Sequence, residues 1–157
     1  PCGHLGDPAA RCRCTPDRIA AYRARISGPL LDRIDLHVEV PRVTTAEISS
    51  ADRGESTAVV AARVAAAREL QFERQARANT RLEGAAVLEF ARADAAAMSL
   101  LGTAMQRLAL SARAYHRVLR VARTIADLAG SVTVRAEHVA EAVTLRQLDR
   151  RAGSELL

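Results

Sequence analysis

The first 14 residues hold every cysteine of the chain, at Cys2, Cys12 and Cys14, together with His4. Structural zinc sites use thiolate and imidazole ligands, four of them in a tetrahedron. The C-x-C spacing of Cys12 and Cys14 is less diagnostic than C-x-x-C, and three cysteines do not complete a site. These cysteines are candidate zinc ligands with His4 available as the fourth, and a disulfide is the weaker alternative because cytosolic thiols stay reduced.

Arg33 stands between Asp32 and Asp35, where a short helical turn is predicted to lead into a strand. A guanidinium is always ionised, and its planar fork fits phosphate oxygens. An arginine that projects at such a boundary is able to complete the active site of a neighbouring subunit. The alternative is a local ion pair with either aspartate, which the residue types alone favour.

A second group of arginines follows Ser111 on a predicted helix. Arg113, Arg117 and Arg120 are spaced by four and three residues, which places them on one helical face. Arg113 lies in the first turn, where a cation opposes the helix dipole by a few tenths of a kcal/mol. This placement predicts a compensating anion such as phosphate, and a solvated arginine face is the alternative.

All 23 basic residues are arginine, so the chain contains no G-x-x-x-x-G-K-[ST] phosphate loop. His37-Val38-Glu39 has the H-x-E form of a zinc deaminase, but Pro1-Cys2 precedes it and the cysteines are wrongly spaced. Catalytic patterns of the Ser-His-Asp, H-E-x-x-H and G-x-G-x-x-G kinds are absent as well. The sequence therefore gives no support for independent catalysis.

The composition indicates which elements must position these residues. The chain has 157 residues, 49% of them hydrophobic, with two Phe, two Tyr and no Trp. An apolar fraction made of Ala, Val and Leu predicts a mainly α protein with a buried core. No apolar run is long enough to span a bilayer, which favours a cytoplasmic location without membrane contact. The net charge of +5 suits nucleic acid or a merely solvated surface.

The chain is predicted to fold as two modules. In the first, Thr15 caps a helix from Pro16 to about Ile26. The alternating pattern of 34–40 then predicts a strand that ends at Pro41, with Ile34, Leu36, Val38 and Val40 facing inward. The polar, turn-rich residues 44–56 read as a linker.

Four helices are predicted after the linker. They begin behind Ser56, Asp94 and Ser111 and at Thr133, with residues 78–93 as a connection and Gly130 as a stop. The residues predicted to face the core are Val60, Val64, Ala67, Met98, Leu101, Met105, Leu108, Tyr115, Val118, Ala122, Ile125, Ala129, Val139 and Val143.

Three segments together resemble the magnesium-chelatase-like AAA+ ATPases of the ComM/YifB type. They are the cysteine-rich residues 1–16, the segment from Tyr22 to Leu36, and the segment from Leu110 to Leu128. The resemblance covers nearly the whole chain. It implies a C-terminal fragment of an AAA+ module: the end of the core in 1–43 as a small α/β remnant, a linker in 44–56, and a four-helix lid in 57–152.

The resemblance also implies roles for single residues. Arg33 corresponds to the arginine finger and Arg113 to the sensor-2 arginine, and Arg117 lies beside it as a further nucleotide contact. Cys2, Cys12 and Cys14 correspond to the family's cysteine insert, in which a further cysteine lies upstream as an alternative to His4. We expect the chain to begin after sensor 1, so that ATP and Mg²⁺ are bound in the intact ring and this chain alone is inactive.

The implied function is that of a hexameric homo-oligomeric ATPase ring that remodels DNA by branch migration during competence. One alternative is an ATPase subunit of a metal chelatase, which the cysteine insert disfavours. The other is a non-enzymatic adaptor that binds zinc and nucleic acid, which the low aromatic content disfavours because bases then lack stacking partners.

Overall fold

The structure is a computed structural model that describes residues 1–6, 11–38, 40, 43–49 and 54–146. Its helices are α1 Pro16–Arg23, α2 Gly28–Leu31, α3 Thr45–Ser49, α4 Thr57–Gln75, a 3₁₀ turn Asn79–Arg81, α5 Ala85–Ala91, α6 Ala95–Arg107, α7 Ala112–Leu128 and α8 Ala136–Thr144. The prediction of a mainly α protein is confirmed.

The chain divides into two compact units. Unit 1 holds the described residues of 1–34 and 39–51, and unit 2 holds those of 35–38 and 52–157. Helices α1, α2 and α3 belong to unit 1, and α4 to α8 belong to unit 2. The four residues 35–38 are therefore part of the helical unit although the chain reaches them directly from unit 1.

Four helices begin at the predicted capping residues, whose side-chain oxygens each accept a hydrogen bond from a backbone N–H of the first turn. Such a bond satisfies one of the donors that a helix start leaves without a partner. The caps are Thr15, Ser56, Asp94 and Ser111, which accept from Arg18, Val59, Ala97 and Ala114 at 3.4, 3.4, 2.7 and 3.1 Å.

Some boundaries differ from the predictions. Helix α1 ends at Arg23 rather than near Ile26, and α8 begins behind Arg135, whose backbone N–H donates to Nδ1 of His138 at 3.0 Å. The connection 78–93 contains the 3₁₀ turn and α5, and the linker 44–56 contains α3. Residues 147–152 of the predicted lid lie outside the described residues.

Helix α7 lies at the centre of unit 2, where it packs against α4, α5 and α8, while α6 packs against α8. Its predicted stripe is confirmed in Val118 and Ala122, which are fully buried, whereas Ala129 is exposed. The buried core consists of Leu82, Val87, Ala91, Ala97, Leu101, Ala104, Val118, Leu119, Ala122, Ala126, Val134, Val139, Ala142 and Val143.

The amino-terminal half of α4 was wrongly predicted to face the core. Val60 and Val64 are exposed, and the buried residues of α4 are Ala67, Gln71 and Gln75. Helical spacing alone shows which residues share a face, but it does not show how far along the helix a neighbour extends. Only the carboxyl-terminal half of α4 has buried side chains.

The predicted strand from Ile34 to Val40 is wrong for the residues that the structure describes there, 34–38 and 40. Ile34, Leu36, Val38 and Val40, which were expected to face inward, are all at least 40% exposed. A strand needs a neighbour to pair its backbone groups, and the described residues contain no strand, only an isolated parallel bridge between Ala93 and Val134. Pro41, the predicted end of the strand, lies outside the described residues.

A buried polar network joins α4 to α7. Asp127 accepts hydrogen bonds from Arg74, from Nε of Arg123 at 3.1 Å and from Nδ2 of Asn79 at 2.8 Å. Arg123 and Asp127 have side chains that are only 1% exposed. Burial lowers the pKa of Arg123 below its usual value, and the neighbouring carboxylate of Asp127 opposes this change.

Arg123 also connects the end of α5 and the loop between α7 and α8 to α7. Its Nη1 atom donates to the carbonyls of Ala91 at 3.1 Å and Val132 at 2.8 Å, and its Nη2 atom donates to the carbonyl of Ser131. Ala91 is buried, and a buried backbone carbonyl needs such a partner. One side chain therefore supplies the hydrogen-bond donors for backbone carbonyls at the end of α5 and in the loop between α7 and α8.

Among the described residues, no helix combines the length and the apolar character that crossing a membrane requires.

Candidate functional site

The three cysteines of unit 1 come together in the structure. Their sulfur atoms all lie within 4.8 Å of one another, and the Sγ atoms of Cys2 and Cys12 are 3.5 Å apart. All three thiols are free. Within the described part of the chain, His4 does not join this group of three ligands.

The distances between the sulfur atoms fit a metal of zinc's size. A tetrahedral Zn–S distance of about 2.3 Å places neighbouring sulfurs about 3.8 Å apart. The Cys2–Cys12 pair lies 3.5 Å apart and no pair exceeds 4.8 Å, so side-chain rotations are sufficient to bring three thiolates onto one ion. The donor set leaves the fourth tetrahedral position to another ligand.

The pKa of Cys2 is lowered from its ordinary value to about 7. The largest cause is a hydrogen bond with the backbone of His4, followed by hydrogen bonds with the side chains of Cys14 and Cys12. A thiolate is the form of cysteine that ligates metals. The local hydrogen bonds therefore favour the ligating form of Cys2.

Arg33 lies in the turn directly after α2. Its backbone N–H donates to the carbonyl of Leu30 at 2.9 Å, which continues the helical hydrogen-bonding by one residue. The Arg33 side chain is exposed, and its guanidinium forms no hydrogen bond or ion pair with any described residue. The alternative of an ion pair with Asp32 or Asp35 is not found within the described residues.

Arg113 occupies the first turn of α7 in unit 2. Ser111 caps this helix, and Ala114 beside Arg113 is fully buried, so the backbone that carries Arg113 is well fixed. The Arg113 side chain is exposed and has no partner among the described residues. Its charge is therefore available to an anion at the amino-terminal end of α7.

Arg117 and Arg120 differ from Arg113, because both converge on Asp35. Arg117 Nη1 contacts Asp35 Oδ1, and Arg120 Nη2 lies 3.5 Å from the same oxygen. The two arginine side chains are 18% exposed, and Asp35 is 45% exposed. The predicted solvated arginine face is thus limited to Arg113.

Asp35 was considered in the sequence only as a partner of Arg33, and its contacts with α7 were missed. Its partner Arg117 is 82 residues later in the chain. Spacing rules identify neighbours within one helix or one hairpin, and they give no signal for a contact of this separation. The alternation of apolar and polar residues around Asp35 predicted a strand instead.

The amino-acid sequence matches two protein-family models. Residues 54–146, more than half of the chain, match "Magnesium chelatase, subunit ChlI C-terminal", and residues 1–48 match "Magnesium chelatase, subunit ChlI". The chain belongs to the magnesium chelatase ChlI family. The predicted resemblance to magnesium-chelatase-like AAA+ proteins of the ComM/YifB type is confirmed.

Proteins of several bacteria are similar to the chain. It is 44% identical to YifB of Escherichia coli over 140 residues, which cover 88% of this chain and 28% of YifB. It is 38% identical to competence protein ComM of Haemophilus influenzae over 151 residues, 96% of this chain and 29% of ComM. An uncharacterized protein of Mycobacterium tuberculosis is 41% identical over 144 residues. The chain spans less than a third of the length of these relatives.

Proposed function

We propose that this chain supplies Arg33 and Arg113 to ATP hydrolysis in a homo-oligomeric AAA+ ring. The observation that carries the proposal is the state of Arg33: a fixed backbone turn holds it, its side chain is exposed, and its guanidinium has no partner among the described residues. Membership of the ChlI family, which suggests an ATPase that works with Mg²⁺, supports the same reading.

The proposed role of Arg33 depends on its positive charge. During phosphoryl transfer, negative charge spreads over the oxygens of the γ-phosphoryl group, and a fixed cation stabilises that arrangement more than it stabilises bound ATP. The guanidinium of Arg33 is always ionised, and its fork matches two phosphate oxygens at once. Arg33 acts as an arginine finger on the nucleotide of a neighbouring subunit.

Arg113 and Arg117 are the proposed nucleotide contacts of the lid. Arg113 is exposed and has no described partner, so it is the stronger candidate for a direct phosphate contact in the sensor-2 role. Arg117 contacts Asp35 through Nη1, and its Nε is buried without a hydrogen-bond partner among the described residues. A nucleotide contact by Arg117 therefore uses Nη2 or replaces Asp35.

The proposed assembly is a hexameric ring that acts on DNA. A trans-acting finger requires a closed ring in which each subunit faces the next. The relative from Haemophilus influenzae is named a competence protein, and the net charge of +5 suits a polyanionic substrate. We propose branch migration during DNA uptake as the work of the ring.

The cysteine cluster is proposed as a structural zinc site of the same module. Cys2, Cys12 and Cys14 supply three sulfur ligands at suitable separations, and a residue outside the described cluster supplies the fourth. The proposed organisation assigns 1–43 to the end of the AAA+ core, 44–56 to a linker and 57–152 to the lid.

A chimera tests the proposal: residues of Escherichia coli YifB that align with this chain are replaced by the chain, and ATP hydrolysis is measured. Arg33→Ala is expected to lower kcat by about 10³-fold or more, the range known for arginine fingers. Arg63→Gln is the matched control, because Arg63 is an exposed arginine that pairs only with Glu55 among the described residues. It should leave kcat within about twofold.

Mixed rings test whether Arg33 acts across a subunit boundary. The Arg33→Ala chimera is mixed with a chimera whose phosphate-loop lysine is replaced, so that neither protein hydrolyses ATP alone. A trans-acting finger restores activity at the mixed interfaces. Persistent inactivity of assembled mixed rings, or an Arg33→Ala variant that retains full activity, would contradict the proposal.

A further inference from the structure

We infer that Asp35 is a positioning residue for Arg33, because it fastens the segment 35–38, which follows Arg33 and Ile34 directly, to helix α7. This inference rests on the proposed role of Arg33 and deepens it. Asp35 belongs to unit 2, although Arg33, two residues earlier, belongs to unit 1. The first residue that the chain contributes to unit 2 in this region is thus the one that meets two arginines of α7.

The contact with α7 is built differently from a surface ion pair. Arg117 and Arg120 are each 18% exposed, and both direct a guanidinium nitrogen to Oδ1 of Asp35. For comparison, Glu55 and Arg63 form a surface ion pair whose side chains are 55% and 48% exposed. These two residues are eight positions apart in the sequence. Asp35 itself is 45% exposed, but its two partners are mostly buried, so water screens these charge-assisted bonds less than it screens the exposed pair.

Arg120 is itself fixed by backbone groups. Its Nη1 atom donates to the carbonyl of Leu82 at 3.2 Å, immediately after the 3₁₀ turn. Leu82 is 1% exposed and belongs to the core cluster. Because Arg120 bridges a buried backbone segment and Asp35, the carboxylate is held against a rigid part of unit 2.

A second contact fixes the same segment two residues later. The backbone N–H of His37 donates to the carbonyl of Leu145, at the carboxyl end of α8, with a distance of 2.6 Å. His37 is 8% exposed, whereas Leu36 and Val38 on either side are exposed. The segment 35–38 is therefore attached at Asp35 and at His37, without being a strand.

Covalent geometry limits how far Arg33 can be from this attachment. Neighbouring Cα atoms are 3.8 Å apart, so the Cα atoms of Arg33 and Asp35 are separated by about 7 Å at most. Arg113 precedes Arg117 by four residues, about 6 Å along α7. Asp35 and Arg113 are consequently both held by α7, and Arg33 precedes Asp35 by only two residues.

The first test uses the chain itself and measures amide hydrogen exchange by NMR. Asp35→Asn is expected to accelerate exchange of the His37 amide by about tenfold or more, because the segment then opens locally. Glu55→Gln removes a carboxylate from an exposed ion pair and is expected to leave that rate unchanged. Unchanged protection of core amides such as Val118 verifies that Asp35→Asn remains folded.

The second test measures ATP hydrolysis in the YifB chimera. Asp35→Asn is expected to lower kcat by about 10- to 100-fold, the effect of misplacing a catalytic group by about 1 Å, with the KM for ATP within about threefold. The Arg33→Ala, Asp35→Asn double variant should be no slower than Arg33→Ala alone, because Asp35 acts through Arg33. Asp35→Glu should recover part of the lost rate.

The outcomes separate this inference from the proposal beneath it. Full kcat in Asp35→Asn, in a chimera that Arg33→Ala inactivates, overturns the positioning role and leaves the finger intact. An Arg33→Ala variant with full activity overturns both. Unaltered exchange of the His37 amide in Asp35→Asn overturns the proposed attachment itself.

Discussion

Asp127 and Arg74, 53 residues apart in the chain, form a bidentate ion pair with Nη1 to Oδ1 at 2.7 Å and Nη2 to Oδ2 at 3.0 Å. Arg123 contacts the same carboxylate from within α7. Two guanidinium groups therefore share one buried carboxylate, and the junction of α4 and α7 depends on that negative charge.

Asp127→Asn should reduce the free energy of unfolding by about 3–5 kcal/mol, because it leaves two buried or nearly buried cations without their anion. Urea denaturation followed by circular dichroism measures this change. Glu55→Gln removes a carboxylate from an exposed pair and should leave the urea midpoint nearly unchanged. Equal midpoints for the two variants would show that the network does not stabilise the fold.

Arg113→Ala and Arg117→Gln should differ in their kinetics in the YifB chimera. Arg113→Ala removes the exposed guanidinium proposed to contact phosphate, so kcat is expected to fall by about 10²-fold or more. Arg117→Gln removes a partner of Asp35 and should resemble Asp35→Asn, with a smaller loss of kcat and little change in KM. A larger loss in Arg117→Gln than in Arg113→Ala would assign the direct contact to Arg117.

Zinc should bind to the chain with a stoichiometry of about one ion, measured by elemental analysis after dialysis. Replacing Cys2, Cys12 and Cys14 by serine should abolish this binding, because the hydroxyl group is a poor zinc ligand at neutral pH. His4→Ala, made alone, distinguishes the two candidates for the fourth ligand. Retention of zinc by the triple serine variant would rule out the cysteine cluster as the site.

The pKa of Glu55 should lie below its usual range, because Arg63 donates hydrogen bonds to both carboxylate oxygens and adds an opposite charge. A depressed carboxyl pKa contributes stability above the pKa of the unfolded chain, and this contribution is lost as the pH falls through the lower folded pKa. NMR titration of the Glu55 carboxyl group measures the direction. Arg63→Gln should return the pKa upward toward its ordinary value.

The helices of unit 2 were largely predictable because their signals are local. Ser56, Asp94 and Ser111 stand immediately before apolar periodic runs, and each caps the predicted helix. Helix α5 was missed because its seven residues are too few for a periodic pattern to emerge from the connection around it. Val60 was misplaced because periodicity does not reveal where a neighbouring helix ends.

Recognition of the candidate site from the sequence had a different limit. Arg33, Arg113 and the three cysteines could be chosen from residue type, local position and family resemblance. The contacts of Asp35 with Arg117 and of His37 with Leu145 span most of the chain, and they depend on how the segment 35–38 lies on α7 and α8. No spacing rule encodes such a contact. The alternating pattern of 34–40 predicted a strand, but it does not show whether a neighbouring strand is present to pair with it.

Arg123 limits how the helical unit is able to move. Its guanidinium, in the carboxyl-terminal half of α7, donates hydrogen bonds to the carbonyls of Ala91, Ser131 and Val132. A slide of that helix by one turn would break all three hydrogen bonds and leave the buried carbonyl of Ala91 without a donor. The end of α5, the loop between α7 and α8, and α7 itself are therefore expected to move together.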